Sequence, residues 1–124
     1  MKLEELQVYR LSMDIADKIW TIIFNWNYFD KEKVGKQLIK AADSVATNLS
    51  EGFGRYFYKE NRQFYYYSRG SLFETKTWLR KALNRKLIEE KDYLLFTKEL
   101  EKIGIKLNNY IIAIGTTNIK NDNK

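Results

Sequence analysis

The segment NLSEGFGR, residues 48–55, interrupts two long stretches that otherwise read as continuous helix. Two glycines one residue apart, with Glu51 before them and Arg55 after, admit a phosphate cradle, an active-site loop or a helix end. A Walker loop requires GxxxxGK[ST] after a strand, and a dinucleotide fingerprint requires GxGxxG within a βαβ unit. Neither context exists here, and GFGRYF lacks the third glycine. A glycine closing a helix in the left-handed conformation accounts for Gly52 or Gly54 without a ligand. The segment then reads as the hinge of a helical hairpin.

Working outward, residues on both sides keep the spacing of threes and fours that marks a helix with one buried face. Leu6, Tyr9, Met13, Ala16, Trp20 and Ile23 form the expected seam of a first helix from about Leu3 to Trp26. A second apolar row, Val8, Ile15, Ile19, Ile22 and Trp26, lies beside it and is surplus to a single stripe, which points to contacts beyond the helix's own bundle. Asp30 is the expected N-cap of the second helix, which runs through Val34, Leu38, Ala41, Ala42, Val45 and Leu49 to about Gly52. The third helix spans Lys59 to Lys86, and the fourth begins at the acidic turn EEKD and carries Tyr93, Phe96, Leu100, Ile103, Leu107, Tyr110 and Ile114. Four helices of similar length on short connections predict an all-α, antiparallel, up-down-up-down four-helix bundle. It forms a single domain over residues 1–115, with a flexible polar tail at 116–124.

Composition narrows the chemistry. The 124 residues contain no cysteine and no histidine, which removes disulfides, thiolate metal sites and the commonest transition-metal ligand. Di-iron bundle chemistry, built on Glu-x-x-His pairs, is excluded with them, as are helical ribonucleases that pair arginine with histidine. No metal, cofactor or catalytic residue is expected. The start MKLEELQVYR lacks an apolar signal core, and no run approaches a membrane span, so a cytoplasmic protein is expected.

Two clusters remain. Ser44, Asn48, Glu51 and Arg55 recur at four, three and four on one face of the second helix. Antiparallel pairing about Phe57 sets Gly70 and Ser71 opposite Ala42 to Ser44, so Ser71 and Glu74 join them in a polar seam between helices two and three; a carboxylate site is the competing reading. Glycine within a helix costs about 1 kcal/mol relative to alanine, so Gly70 is expected where another backbone approaches closely. The second cluster is charge. The net +6 arises between residues 59 and 88, where eight Lys and Arg meet two Glu. Arg62, Arg69, Lys76, Arg80, Lys81, Arg85 and Lys86 are the candidate nucleic-acid contacts, with Tyr65, Tyr66 and Tyr67 unable all to face the bundle at 100° per residue. Alternatively the charges form a solvated face and the tyrosines a subunit interface.

The segments AADSVATNLSEGFGR and QFYYYSRGSLFET, with the tryptophan-bearing continuation, resemble the four-helix bundle family encoded in intervening sequences of 23S ribosomal RNA genes, often labelled a ribosomal protein. That family includes the accessory variability protein of diversity-generating retroelements. Ala41, Ala42, Ser44, Asn48, Glu51, Gly52, Gly54 and Arg55 match its first signature, and Phe64, Gly70, Ser71, Leu72 and Glu74 its second. The resemblance implies a ring-shaped homopentamer without enzymatic activity, whose basic surface engages nucleic acid or a protein partner such as a reverse transcriptase.

Overall fold

The computed structural model describes residues 1–122, with side chains to Thr116. Four helices make up the chain: α1 (Gln7–Phe24), α2 (residues 28–53), α3 (Tyr58–Asn84) and α4 (Glu90–Asp122). A 3-10 turn, Leu3–Glu5, precedes α1, and no strand occurs among the described residues. The up-down-up-down bundle follows from the cross-helix contacts. Asn61 reaches Gly52 while Ser68 reaches Val45 between α2 and α3, and Lys106 reaches Gln7 while Lys18 reaches Glu99 between α1 and α4. Each helix packs on its chain neighbours, α4 closes the square against α1, and the tightest pairing joins α2 to α3.

On α1 the buried face draws on both apolar rows. Leu6, Ala16 and Ile23 of the expected seam are buried together with Val8, Ile15 and Ile19 of the second row, whereas Met13 and Trp20 of the seam are 43% and 56% exposed. The rows share one period, so spacing alone does not choose between them. Ser12 further disguises the buried face, because it occupies a core position yet is polar. Its hydroxyl donates to the Val8 carbonyl at 2.7 Å, so no polar group is left unpaired.

The start of α2 also differs from expectation. Asn27, not Asp30, is the N-cap: its side-chain oxygen accepts from the Asp30 N–H at 2.9 Å. After one turn the helix widens into a π segment, Lys31–Gly35, before continuing as Lys36–Phe53. Gly35 faces α1, where an added Cβ would sit 2.8 Å from Ile23 Cγ2. From there α2 presents Ala41, Ala42, Val45, Ala46 and Gly52 to the core, and this small-residue face lets α3 come close. Ser68, fully buried, spans the gap and donates to the Val45 carbonyl at 2.7 Å.

The expected register is right to within a turn, but Gly70 points away from α2. An added Cβ there meets nothing within 4 Å. The close approach belongs to Gly52, whose Cβ would lie 2.7 Å from the Tyr65 ring and 3.1 Å from the Asn61 carbonyl. Tyr65 fills that space and stacks edgewise on Tyr110 of α4, with ring centroids 5.3 Å apart. Burial, then a hydrogen bond with Tyr110, raises its phenol pKa well above the ordinary tyrosine value.

Neither Gly52 nor Gly54 is left-handed; Gly54 caps α2 at φ −79°. The end of α2 is instead closed by Asn61, whose side-chain amide donates to the Gly52 and Arg55 carbonyls. Among the described residues the left-handed one is Lys86, at φ 62°. There α3 ends at Asn84, short of the expected Lys86, with Lys86 N–H bonded to Leu83 O and Leu87 N–H to Ala82 O, a Schellman closure. Past residue 115, where the bundle was expected to end, α4 continues to Asp122; residues 123 and 124 of the expected tail lie outside the described residues.

Two pairs of outcomes follow for thermal unfolding monitored by circular dichroism. Gly70→Ala gains helix propensity in open space and should raise Tm by about 2–4 °C, while Gly52→Ala must displace the Tyr65 ring and should lower it by about 4–8 °C. Lys86→Gly, which relieves a left-handed side chain, should stabilise by about 1 kcal/mol; Lys86→Ala should not. Equal effects at positions 52 and 70 would contradict the α2–α3 packing.

Candidate nucleic-acid interface

The rotation of α3 that buries Tyr65, Ser68, Leu72, Thr75, Leu79 and Ala82 fixes what its other faces present. At about 100° per residue, Arg62, Arg69, Lys76 and Arg80 fall within about 40° of one another. They line the shoulder of α3 that borders α4, as the guanidinium of Arg80 over the Tyr93 ring, 5.7 Å from its centroid, makes plain. The seven cations predicted from sequence therefore do not form one surface. Lys81 lies on a different flank, against Trp78, with Nζ 5.5 Å from the ring centroid. Arg85 is the C-cap of α3 and Lys86 follows it in the left-handed conformation, so both sit at the helix end.

Sequence reading missed that two rings share the shoulder with the four cations. Tyr66 and Phe73 are about half exposed, and Arg62, Tyr66, Arg69, Phe73, Lys76 and Arg80 follow one another at four, three, four, three and four. This is the spacing of a buried helix seam, but here it lies outside the core. Lys76 Nζ sits 5.0 Å from the Phe73 centroid, and Arg62 lies over Tyr58 at 5.4 Å. The signal was available in the same heptad count that located the core, had it been applied to cations and rings together. As expected, the tyrosine triplet is divided: Tyr65 is buried, while Tyr66 and Tyr67 face outward.

None of the four shoulder cations forms an ion pair among the described residues. The ion pairs lie elsewhere: Lys18 with Asp14 and Glu99, Lys36 with Glu32, Arg55 with Glu51 and Lys91 with Glu89. Hydrogen bonds from Glu99 and Asp14 raise the Lys18 pKa, as one from Glu32 raises that of Lys36. Across the bundle, on the α1–α2 side, partial burial and then the neighbouring charge of Asp17 raise the Asp43 carboxyl pKa. Cations without an ion-pair partner among the described residues thus lie on the α3–α4 side of the bundle, and the Asp43 carboxyl, near Asp17, on the α1–α2 side.

Most of the polar residues expected to bridge α2 and α3 bond within their own helix, although Arg55, just past the end of α2, lies over the Phe64 ring of α3, 4.9 Å from its centroid. Ser44 donates to Lys40 O, Asn48 to Ser44 O, and Arg55 pairs with Glu51 one turn away. Ser71 accepts from Thr75 of its own helix through its backbone carbonyl, and Glu51 and Glu74 are exposed. The structure does not bring these six together as a seam, and neither carboxylate needs a buried partner. The cross-helix polar bonds come from Ser68 and Asn61, two residues that lie off the four-three-four row.

Between the cationic shoulder and α4 runs a groove of about 260 Å³, lined by Arg69, Leu72, Phe73, Lys76, Glu101, Gly104, Ile105 and Asn108. Gly104 keeps it open, since a Cβ there would stand 3.1 Å from Leu72 Cδ2. A second, more apolar hollow lies where α1 meets α2, lined by Trp20, Ile23, Phe24, Gly35 and Ile39 with Lys31, Glu32 and Lys36 around it. No helix among the described residues is long and apolar enough to cross a membrane.

By its architecture the chain is an all-α, antiparallel four-helix bundle. More narrowly, the chain belongs to the 23S rRNA-intervening sequence protein family, whose model matches residues 4–109. A crystal structure of a protein of unknown function from the S23 ribosomal protein family of Bacteroides thetaiotaomicron VPI-5482 has the same fold. It superposes with a TM-score of 0.75 at 18% identity, covering 84% of this chain and 94% of that one. A comparison with curated proteins gives no match.

The division of the cations makes a differential outcome testable. Arg62→Glu, Arg69→Glu and Lys76→Glu combined should abolish retention on a polyanion column at physiological salt, whereas Lys81→Glu with Arg85→Glu should shift elution only slightly. All of these side chains border solvent, so both variants should keep Tm within a few degrees of the parent.

Proposed function

We propose that this protein is a non-enzymatic, oligomeric scaffold that binds nucleic acid electrostatically through the α3 shoulder. The observation that carries the reading is the line of four cations, Arg62, Arg69, Lys76 and Arg80, none of them neutralised by a carboxylate among the described residues. Cations left unpaired in one line repel one another, and a polyanion relieves that repulsion while releasing its own condensed counterions. Contacts of this kind position a phosphate backbone and carry little sequence information, so affinity should exceed specificity.

Self-association is supported by a different surface. Met13, Trp20 and Phe24 on α1 and Tyr28 and Phe29 at the start of α2 are large and exposed, an apolar area of the sort that marks association sites. We assign it to contacts between copies of the chain. Five is the subunit count that the family resemblance suggests. A protein partner such as a reverse transcriptase is the rival occupant of the same apolar surface, and the protein would then be an adaptor. The work of such a scaffold lies in a compartment where nucleic acid is accessible, which for a chain of this composition is the cytoplasm.

Titration with labelled RNA and DNA at graded salt tests the binding reading. With four cations engaged per protomer, log K should fall with log salt at a slope of about −2.8 to −3.6, or roughly 50- to 150-fold between 50 and 200 mM. Absence of binding at 50 mM salt would contradict it. Native mass spectrometry tests the assembly: an oligomer that dissociates on Trp20→Glu is expected, and a monomer at micromolar concentration would exclude it.

A further inference from the structure

The alternation of cation and ring along the α3 shoulder points to something narrower than a site for any polyanion. We propose that this shoulder, with the groove beside it, takes single-stranded nucleic acid in particular, with unstacked bases resting on Tyr66 and Phe73 and one of them entering the α3–α4 groove. The proposal deepens the nucleic-acid reading above and rests on it.

Three observations carry it. First, Tyr66 and Phe73 lie between the cations and not on a separate face. Seven residues separate the two rings, about 10.5 Å along the helix, and the same interval separates Arg62 from Arg69 and Arg69 from Lys76. Each ring is therefore flanked by a cation one turn before and one turn after. A duplex offers a protein its phosphates and groove edges, while its base faces are stacked away, so exposed rings on this line would go unused. A single strand offers both phosphates and base faces, and stacking on aromatic side chains is how sequence-tolerant single-strand sites add to electrostatic attraction.

Second, the groove behind Phe73 is suited to a flat, partly polar group. Leu72 and Ile105 supply apolar walls, and Glu101 and Asn108 supply hydrogen-bonding groups at its rim. An apolar cavity of about 150 Å³ accommodates benzene, so about 260 Å³ leaves room for a nucleobase. Asn108 can both donate and accept, whereas Glu101 only accepts when ionised. Exocyclic amino groups, which adenine, cytosine and guanine carry and uracil and thymine lack, are the natural partners of that carboxylate.

Third, the charge is matched in length. From Arg62 to Arg80 the line covers 18 residues, about 27 Å. At about 3.4 Å per nucleotide in a stacked strand this corresponds to roughly eight nucleotides, fewer if the strand is extended, within the range known for single-strand sites. Ile105, a wall of the groove, and Ile112, seven residues further along α4, are both more than half exposed. Apolar groups there favour base rings over a second row of phosphates.

The test compares the full-length protein and its variants in competition binding at fixed salt, using a ten-nucleotide mixed-sequence DNA, the same sequence as a duplex, and polyglutamate. The single strand is expected to bind at least tenfold more tightly than the duplex. Phe73→Ala should weaken single-strand binding roughly tenfold and Tyr66→Ala somewhat less, with duplex affinity and the salt slope unchanged. Phe73→Trp should retain affinity, and Arg69→Gln should lower affinity for both forms and reduce the salt slope by about one. A 2-aminopurine placed in the oligonucleotide should change in fluorescence on binding to the parent and not to Phe73→Ala. Phe73 is exposed enough that its removal should not unfold the bundle, which a circular dichroism melt verifies. Equal affinity for strand and duplex, or equal loss of both in Phe73→Ala, would overturn the single-strand site while leaving electrostatic nucleic-acid binding intact. Polyglutamate that competes as well as the oligonucleotide would overturn it in favour of an acidic protein segment. Failure of either nucleic acid to bind at low salt would overturn both readings together.

Discussion

The approach of α3 to α2 is the constraint on which the remaining architecture depends. Gly52 leaves space for the Tyr65 ring, Ser68 reaches across to the Val45 carbonyl, and Asn61 closes the end of α2 by donating to the carbonyls of Gly52 and Arg55. These three contacts fix the register of the pair, and with it the rotation of α3 about its axis. A helix held at this rotation buries Leu72, Thr75 and Leu79 and turns Arg62, Arg69, Lys76 and Arg80 toward the α4 shoulder. The cationic line is thus a consequence of the packing on the opposite side of the same helix.

That dependence explains how much of the molecule was legible in the sequence. Helix number, order, antiparallel sense and the α2–α3 register all followed from periodicity and short connections, because these are properties of whole segments. Rotational phase was harder. On α1 two apolar rows had the same spacing, and only three-dimensional packing set the buried face between them, taking Ile15 and Ile19 from one and Ala16 and Ile23 from the other, with Ser12 hidden there by a bond to its own helix. On α3 the expected small-residue contact at Gly70 was in register but on the wrong face, since Ser68, two positions earlier and about 200° around, meets α2 instead.

The turn residues show a similar inversion. Glycine is the usual left-handed helix terminator, and NLSEGFGR seemed to provide it. Yet Gly52 is needed for its missing side chain, Gly54 caps the helix at an ordinary negative φ, and the left-handed position falls to Lys86. Sequence reasoning assigns glycine to backbone freedom by default, but small size is an equally good reason for glycine, and only the neighbouring ring of Tyr65 decides between them. For the candidate site the loss was similar. Counting cations located the correct helix and gathered Lys81, Arg85 and Lys86 with the rest, because a linear count carries no information about faces.

A functional surface made from the flank of a core helix has a physical consequence. Arg62, Arg69 and Lys76 repeat at seven residues, as Tyr65, Leu72 and Leu79 of the buried face do. The cations therefore stay in line with one another for the same reason that the core residues do: a seven-residue repeat drifts only about 20° per heptad, so it keeps its face over nearly three heptads. Small displacements of α3 would move the charges together and preserve their spacing, whereas a rotation by one residue, about 100°, would break the core and the line at once. Selection for a packed bundle and for a continuous cationic line thus bears on one geometric variable, and a chain that folds correctly at Gly52, Tyr65 and Ser68 presents that line without any further structural device.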